Sequence, residues 1–144
     1  MLEKWIVFLF LVAGAVWDIK KNSVPKIYLY IWGATAVLYV IVRLISGTSV
    51  FALICAFVPG SIGLVLAFIT KEQIGIGDGL VLILMGAFLD VKVITEIMIV
   101  AFVVLTPVTI ILLVLRVVGG KTRIPFIPFL LVGYLVCICG GGFV

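Results

Sequence analysis

Two aspartates carry the chemistry this sequence offers. Asp18 closes the apolar run that opens the chain, and Asp78 sits among three glycines in "GIGDG", Gly75 to Gly79. An ionisable group at membrane depth costs a few kcal/mol, faces the protein interior and marks a functional site by default. Two carboxylates that converge cannot both ionise cheaply, so one stays protonated while the other is charged. Such a pair can activate a water for attack on a peptide carbonyl and protonate the leaving side. The glycines permit unusual φ values and close approach by a substrate backbone. A plainer reading exists for Asp78, because a carboxylate that precedes a helix is a good N-cap. It serves Asp18 poorly. That residue ends a helix, where the macrodipole disfavours negative charge.

Composition says where such acids would have to work. Of 144 residues, 66% are hydrophobic and 11% charged, whereas a soluble domain carries about 25% charged residues. The chain cannot cover a water-facing surface, so the lipid bilayer is its expected surrounding. Its length allows a single domain, 1–144. "AGA" near the N-terminus could pass for a signal cleavage site, but the same apolar run is needed as a first span and is expected to stay. The final "CICGGGFV" is still apolar, and no soluble domain is expected to follow it. Cys55, Cys137 and Cys139 fall in apolar segments without a CxxC pair, and histidine is absent. A zinc site lacks ligands here, and no metal or cofactor is expected. The net charge of +4 comes from basic residues in short loops. It reads as membrane topology, with no nucleic acid implied.

A helix needs about 20 apolar residues to cross ~30 Å of hydrocarbon. Six segments qualify as candidate spans: Leu2–Trp17, Ile27–Ile45, Val50–Ile69, Ile74–Leu89, Val93–Val118 and Ile124–Val144. The fold class is therefore an all-α polytopic membrane protein of about six transmembrane helices. Pro107 should kink the long fifth span. Pro25 reads as the start of the second, capped by Asn22 or Ser23, and Pro125 as the start of the sixth. One set of loops holds Lys20, Lys21, Lys26, Lys71, Arg116, Lys121 and Arg123; the other end holds Lys4, Arg43 and Lys92. This bias puts both termini outside and the loops around Asp18 and Asp78 in the cytoplasm.

The first and fourth candidate spans have 16 residues each, ~24 Å of helix, short of the hydrocarbon thickness unless the polar residues at their ends are drawn in. Those residues are Asp18 and the "GIGDG" segment, which places both acids at similar depth. Of the other acids, Glu3, Asp90 and Glu96 read as lying towards the outer face, and Glu72 neighbours Lys71.

With these features the chain resembles the prepilin peptidase family, intramembrane aspartic proteases that include the preflagellin peptidases. The resemblance rests on "DIKKNSVP" (Asp18–Pro25), "GIGD" (Gly75–Asp78) and "RIPFIPFLLVG" (Arg123–Gly133). It covers essentially the whole chain as a six-span peptidase core of the GxGD type. It implies that Asp18 and Asp78 are the catalytic pair, and that Gly75, Gly77, Gly79, Lys20, Pro25, Pro125 and Pro128 belong to the active-site turn and substrate-binding surroundings. The implied substrate is a pilin-like precursor, cut on the cytoplasmic side of the plasma membrane between a polar leader and a hydrophobic helix. Larger members carry a methyltransferase region with a paired CxxC zinc site; this sequence has none, which implies cleavage without N-methylation, as in the small peptidases of tight-adherence pili. A second departure is Leu80, where the family commonly has a lysine expected close to Asp78.

Other uses of the two acids stay open at this point. The presenilin and signal-peptide-peptidase group shares "GxGD", but places its first acid within a span of a much longer chain. A small transporter or accessory membrane protein could use Asp18 and Asp78 as a proton or cation site, and a relative that has lost activity would keep both.

Overall fold

Six helices in the order of the apolar runs make up the computed structural model, which describes residues 2–21, 24–69, 76–115 and 125–140. They are α1 (Leu2–Lys21), α2 (Lys26–Ile45), α3 (Val50–Ile69), α4 (Ile76–Phe88), α5 (Val91–Val114) and α6 (Ile127–Cys139), and no strand occurs among the described residues. Lys26–Ile45 and Val91–Leu112 are each long and apolar enough to cross a membrane on their own. Val50–Val65, Ile76–Phe88 and Ile127–Cys139 are apolar but shorter. Helix α1 has the length, yet carries Glu3, Lys4, Asp18, Lys20 and Lys21 within its 20 residues.

The ends of several helices differ from the sequence expectation. Helix α1 continues through Asp18 to Lys21, so the acid lies inside its last turn. Pro25 is the N-cap of α2, with extended backbone (φ −67°, ψ 138°) and no side-chain cap; its carbonyl accepts from Leu29 N–H at 3.3 Å. Fixed φ and a missing N–H suit that boundary as well as they suit a first helical position. Asn22 and Ser23, expected as caps, lie outside the described residues, as do Lys71, Arg116, Lys121 and Arg123. Pro125 does not begin α6. Phe126 is its N-cap, and Pro128 falls in the first turn. Helix α5 runs as one helix through Pro107, and α3 has Pro59 in its interior.

Helix α4 is the centre of the packing, with α3, α2, α1 and α5 around it; α6 lies against α5 and α1. Glycine lets α3 and α4 meet backbone to backbone. A Cβ on Gly60 would be driven into the backbone of Ile83, one on Gly79 would come within 2.9 Å of Leu64 N, and one on Gly86 within 2.5 Å of Ala56 O. Such contact between small residues is the usual way helices associate in lipid, where apolar burial gives little drive. Gly133 does the same for α6 against Ile97 of α5.

At the end of the bundle away from Asp18, polar side chains tie the helices together. Arg43 pairs with Asp90 at 2.5 Å, Tyr39 donates to the Glu3 carboxylate and stacks on Phe88, and Tyr134 donates to the Lys4 carbonyl at 2.6 Å.

Candidate active site

Asp18 is the one charged residue buried among those described, 5% exposed. Its Oδ2 accepts from the backbone N–H of Ile127 at 3.2 Å, and the Phe126 amide faces the same carboxyl. The opening of α6 explains why. Pro125 and Pro128 have no N–H, while Phe129 and Leu130 both donate to the Phe126 carbonyl, at 3.0 and 3.2 Å. That leaves the amides of Phe126 and Ile127 as the donors of the first turn, and α6 has no side-chain cap of its own. Asp18 supplies that cap from another helix. The end of α1 is unfavourable for a negative charge, but the start of α6 is favourable. The acid that its own helix does not explain is thereby explained by a helix 109 residues further on.

Asp78 lies in the first turn of α4, half-buried, two residues inside the helix. It is therefore not the residue that precedes the helix, and a simple N-cap is not its place. The expected irregular turn is also absent at Gly77 and Gly79. Both are helical, and Gly47 (φ 85°) is the glycine with positive φ among the described residues. What they provide is proximity. A Cβ on Gly77 would lie 3.0 Å from Val24 Cγ2, and the space above Gly79 is filled by Leu64. At Gly79 the space is taken by α3, whereas Gly77 is half-buried with the Val24 side chain on one side of it. Gly75 lies outside the described residues.

The Gly77–Val24 contact places the start of α4 beside the crossing from α1 to α2. The Asp18–Ile127 bond places the start of α6 at the same crossing. The three stretches that carry the two acids and the late prolines thus converge on one end of the bundle. Pro25, Pro125 and Pro128 are half-buried there, while Lys20 is exposed on the last turn of α1. Lys21 lies over the Trp17 ring, 5.1 Å from its centroid. Sequence reasoning missed Val24, Phe126 and Ile127, because two of the three act through backbone atoms. One usable signal was the spacing of Pro125 and Pro128, which removes donors on either side of the pair it leaves.

The sequence model of the type IV leader peptidase family matches residues 5–115, about three-quarters of the chain, a range that includes both aspartates and ends before Pro125. No curated protein and no solved structure matches the chain.

Proposed function

Because the chain belongs to the type IV leader peptidase family, we propose that it is an aspartic endopeptidase that removes the short leader of pilin-like precursors, with Asp18 and Asp78 as its catalytic pair. It is a membrane protein of a peptidase family. The reading places its site at the cytoplasmic face, both termini outside, and leaves the cleaved product unmethylated.

The observation that carries the reading is the setting of Asp18: a buried carboxyl on two backbone amides, at the end of the bundle where the first turn of α4 carries Asp78. In the proposed reaction one carboxylate takes a proton from water as its oxygen adds to the scissile carbonyl carbon. The neutral carboxyl of the other gives its proton to the carbonyl oxygen. Collapse of the adduct breaks the C–N bond, and the proton needed by the departing amine comes from the pair. Neither acid alone can be both base and acid in one turnover step. The amides of Phe126 and Ile127 hold Asp18 in place while its charge changes, and the 13-residue α4 is held against α3 so that Asp78 stays at a fixed position.

The test is co-expression with a pilin-like precursor that has a polar leader ahead of an apolar helix. Wild type should shorten the precursor. Asp18→Asn and Asp78→Asn should not, although both remain in the membrane. A precursor shortened by either variant ends the proposal.

A further inference from the structure

Tyr28 is a buried hydroxyl that the proposed chemistry does not use. It stands near the start of α2, three residues after Pro25, and is 9% exposed. Its ring meets Phe10 and Trp32 edge-on, with centroids 5.9 and 5.7 Å away, and Phe10 stacks on Trp32 at 5.1 Å. Its hydroxyl donates to the Phe10 carbonyl, and the Gly14 amide lies beside it. Along a continuous α-helix such as α1 that carbonyl and that amide pair with each other. The hydroxyl is lodged where their bond runs.

This is possible because residue 14 is glycine. A Cβ there would lie 2.6 Å from the Tyr28 hydroxyl, 3.2 Å from its Cζ and 3.4 Å from Ile127 Cγ2. Gly14 therefore touches both Tyr28 and Ile127, and Ile127 is the residue whose amide holds Asp18. Asp18 follows Gly14 by one turn on the same face of α1. In lipid, apolar contact with a neighbour is worth little more than contact with an acyl chain, so close packing and hydrogen bonds set a helix's rotation and depth. Three tyrosine hydroxyls donate to α1: Tyr28 at Phe10, Tyr39 at Glu3 and Tyr134 at Lys4. The last two hold the far end, ~21 Å of helix from the aspartate.

We propose that Tyr28 is a positioning residue for Asp18: its hydroxyl, lodged between Phe10 and Gly14, sets the rotation and depth at which the aspartate meets the α6 amides. The inference rests on Asp18 being one of the catalytic pair.

The experiment uses the purified protein in detergent micelles and a precursor peptide with a polar leader joined to an apolar helix. Tyr28→Phe keeps the ring and removes the hydroxyl. Its kcat should fall about tenfold with KM within about twofold, one lost interaction in the transition state. Gly14→Ala displaces the same hydroxyl and should also lower kcat. Combining the two should cost no more than the worse single change, because both act on one contact. Tyr134→Phe makes the same chemical deletion at the far end of α1 and should lower the melting temperature with kcat unchanged. A Tyr28→Phe protein that behaves like Tyr134→Phe overturns the proposal while leaving Asp18 catalytic. Cleavage by Asp18→Asn overturns the catalytic reading, and the role of Tyr28 with it. Should Tyr28→Phe not fold, wild-type kcat in Gly14→Ala decides against the proposal and reduced kcat at unchanged KM decides for it.

Discussion

The Asp18 carboxyl and the Ile127 amide are 109 positions apart in the chain and 3.2 Å apart in space. One hydrogen bond thus joins the end of α1 to the start of α6, and it uses a carboxyl that the proposed reaction also needs. Asn at position 18 keeps the shape but cannot accept a proton from water. Asp18→Asn and Asp78→Asn should each abolish precursor shortening, measured as a gel mobility shift, with membrane levels unchanged. Asp90 is the control. It is exposed and paired with Arg43 at the far end, where exposed ion pairs contribute little, so Asp90→Asn should still process.

Topology can be tested from outside the cell. In a version lacking Cys55, Cys137 and Cys139, Lys26→Cys should be shielded from an impermeant thiol reagent in intact cells and Ser49→Cys should be labelled. Both positions are exposed at helix ends, and the proposed orientation, drawn from the distribution of basic residues, has the first in the cytoplasm. The opposite pattern of labelling would place both acids outside and remove a cytoplasmic protease from consideration.

The glycines divide into two groups with different expected outcomes. At Gly60 an added Cβ meets the Ile83 backbone, which cannot turn aside. Gly60→Ala should therefore destabilise the protein by about 1–3 kcal/mol, the usual range for overpacking, read as a lower melting temperature in detergent. At Gly77 the nearest atom is the Val24 side chain at 3.0 Å, which can shift by a few tenths of an ångström. Gly77→Ala should lower cleavage more than stability, and Gly77→Val should lower it further. Equal cleavage by wild type and Gly77→Val would show that the Val24 contact has no bearing on the site.

Leu80 stands where relatives were expected to have a lysine beside Asp78. Helical backbone through both positions changes that expectation. Residues two apart on a helix point to opposite flanks, so a cation at 80 would not face the Asp78 carboxyl. Leu80→Lys should leave the pH profile of cleavage where it is in wild type. An acidic limb that moves down with the substitution would show that the two side chains do meet.

The helices were legible because an apolar run of about twenty residues permits little else in a bilayer. Asp18 was legible as an anomaly, a negative charge at the wrong end of its helix. Its resolution was not, because the partners are two backbone amides that look like any others in a sequence. Gly77 and Gly79 were expected to supply unusual φ values, and both are helical instead. Freedom of φ and absence of a Cβ are both properties of glycine, and only the neighbours, Leu64 and Val24, show that the second is used. Tyr28 gave no signal, because a tyrosine in an apolar run is unremarkable until its hydroxyl is found beside Gly14.

Helix α4 has 13 residues among those described, about 20 Å of length against a hydrocarbon layer of ~30 Å. A lone helix so short would thin the bilayer or be expelled from it. More than half of its residues are buried, and its glycine-bearing face is fused to α3. It therefore meets protein where other helices meet acyl chains, and membrane thickness has little hold on it. The consequence reaches back to biosynthesis. Helix α4 is a poor candidate to partition into the membrane by itself, and its support comes from α3, the helix it packs on most closely. The seam between the two helices therefore bears on assembly as well as on the folded state, and Gly60→Ala, which drives a Cβ into the Ile83 backbone, should lower the amount of protein recovered in the membrane.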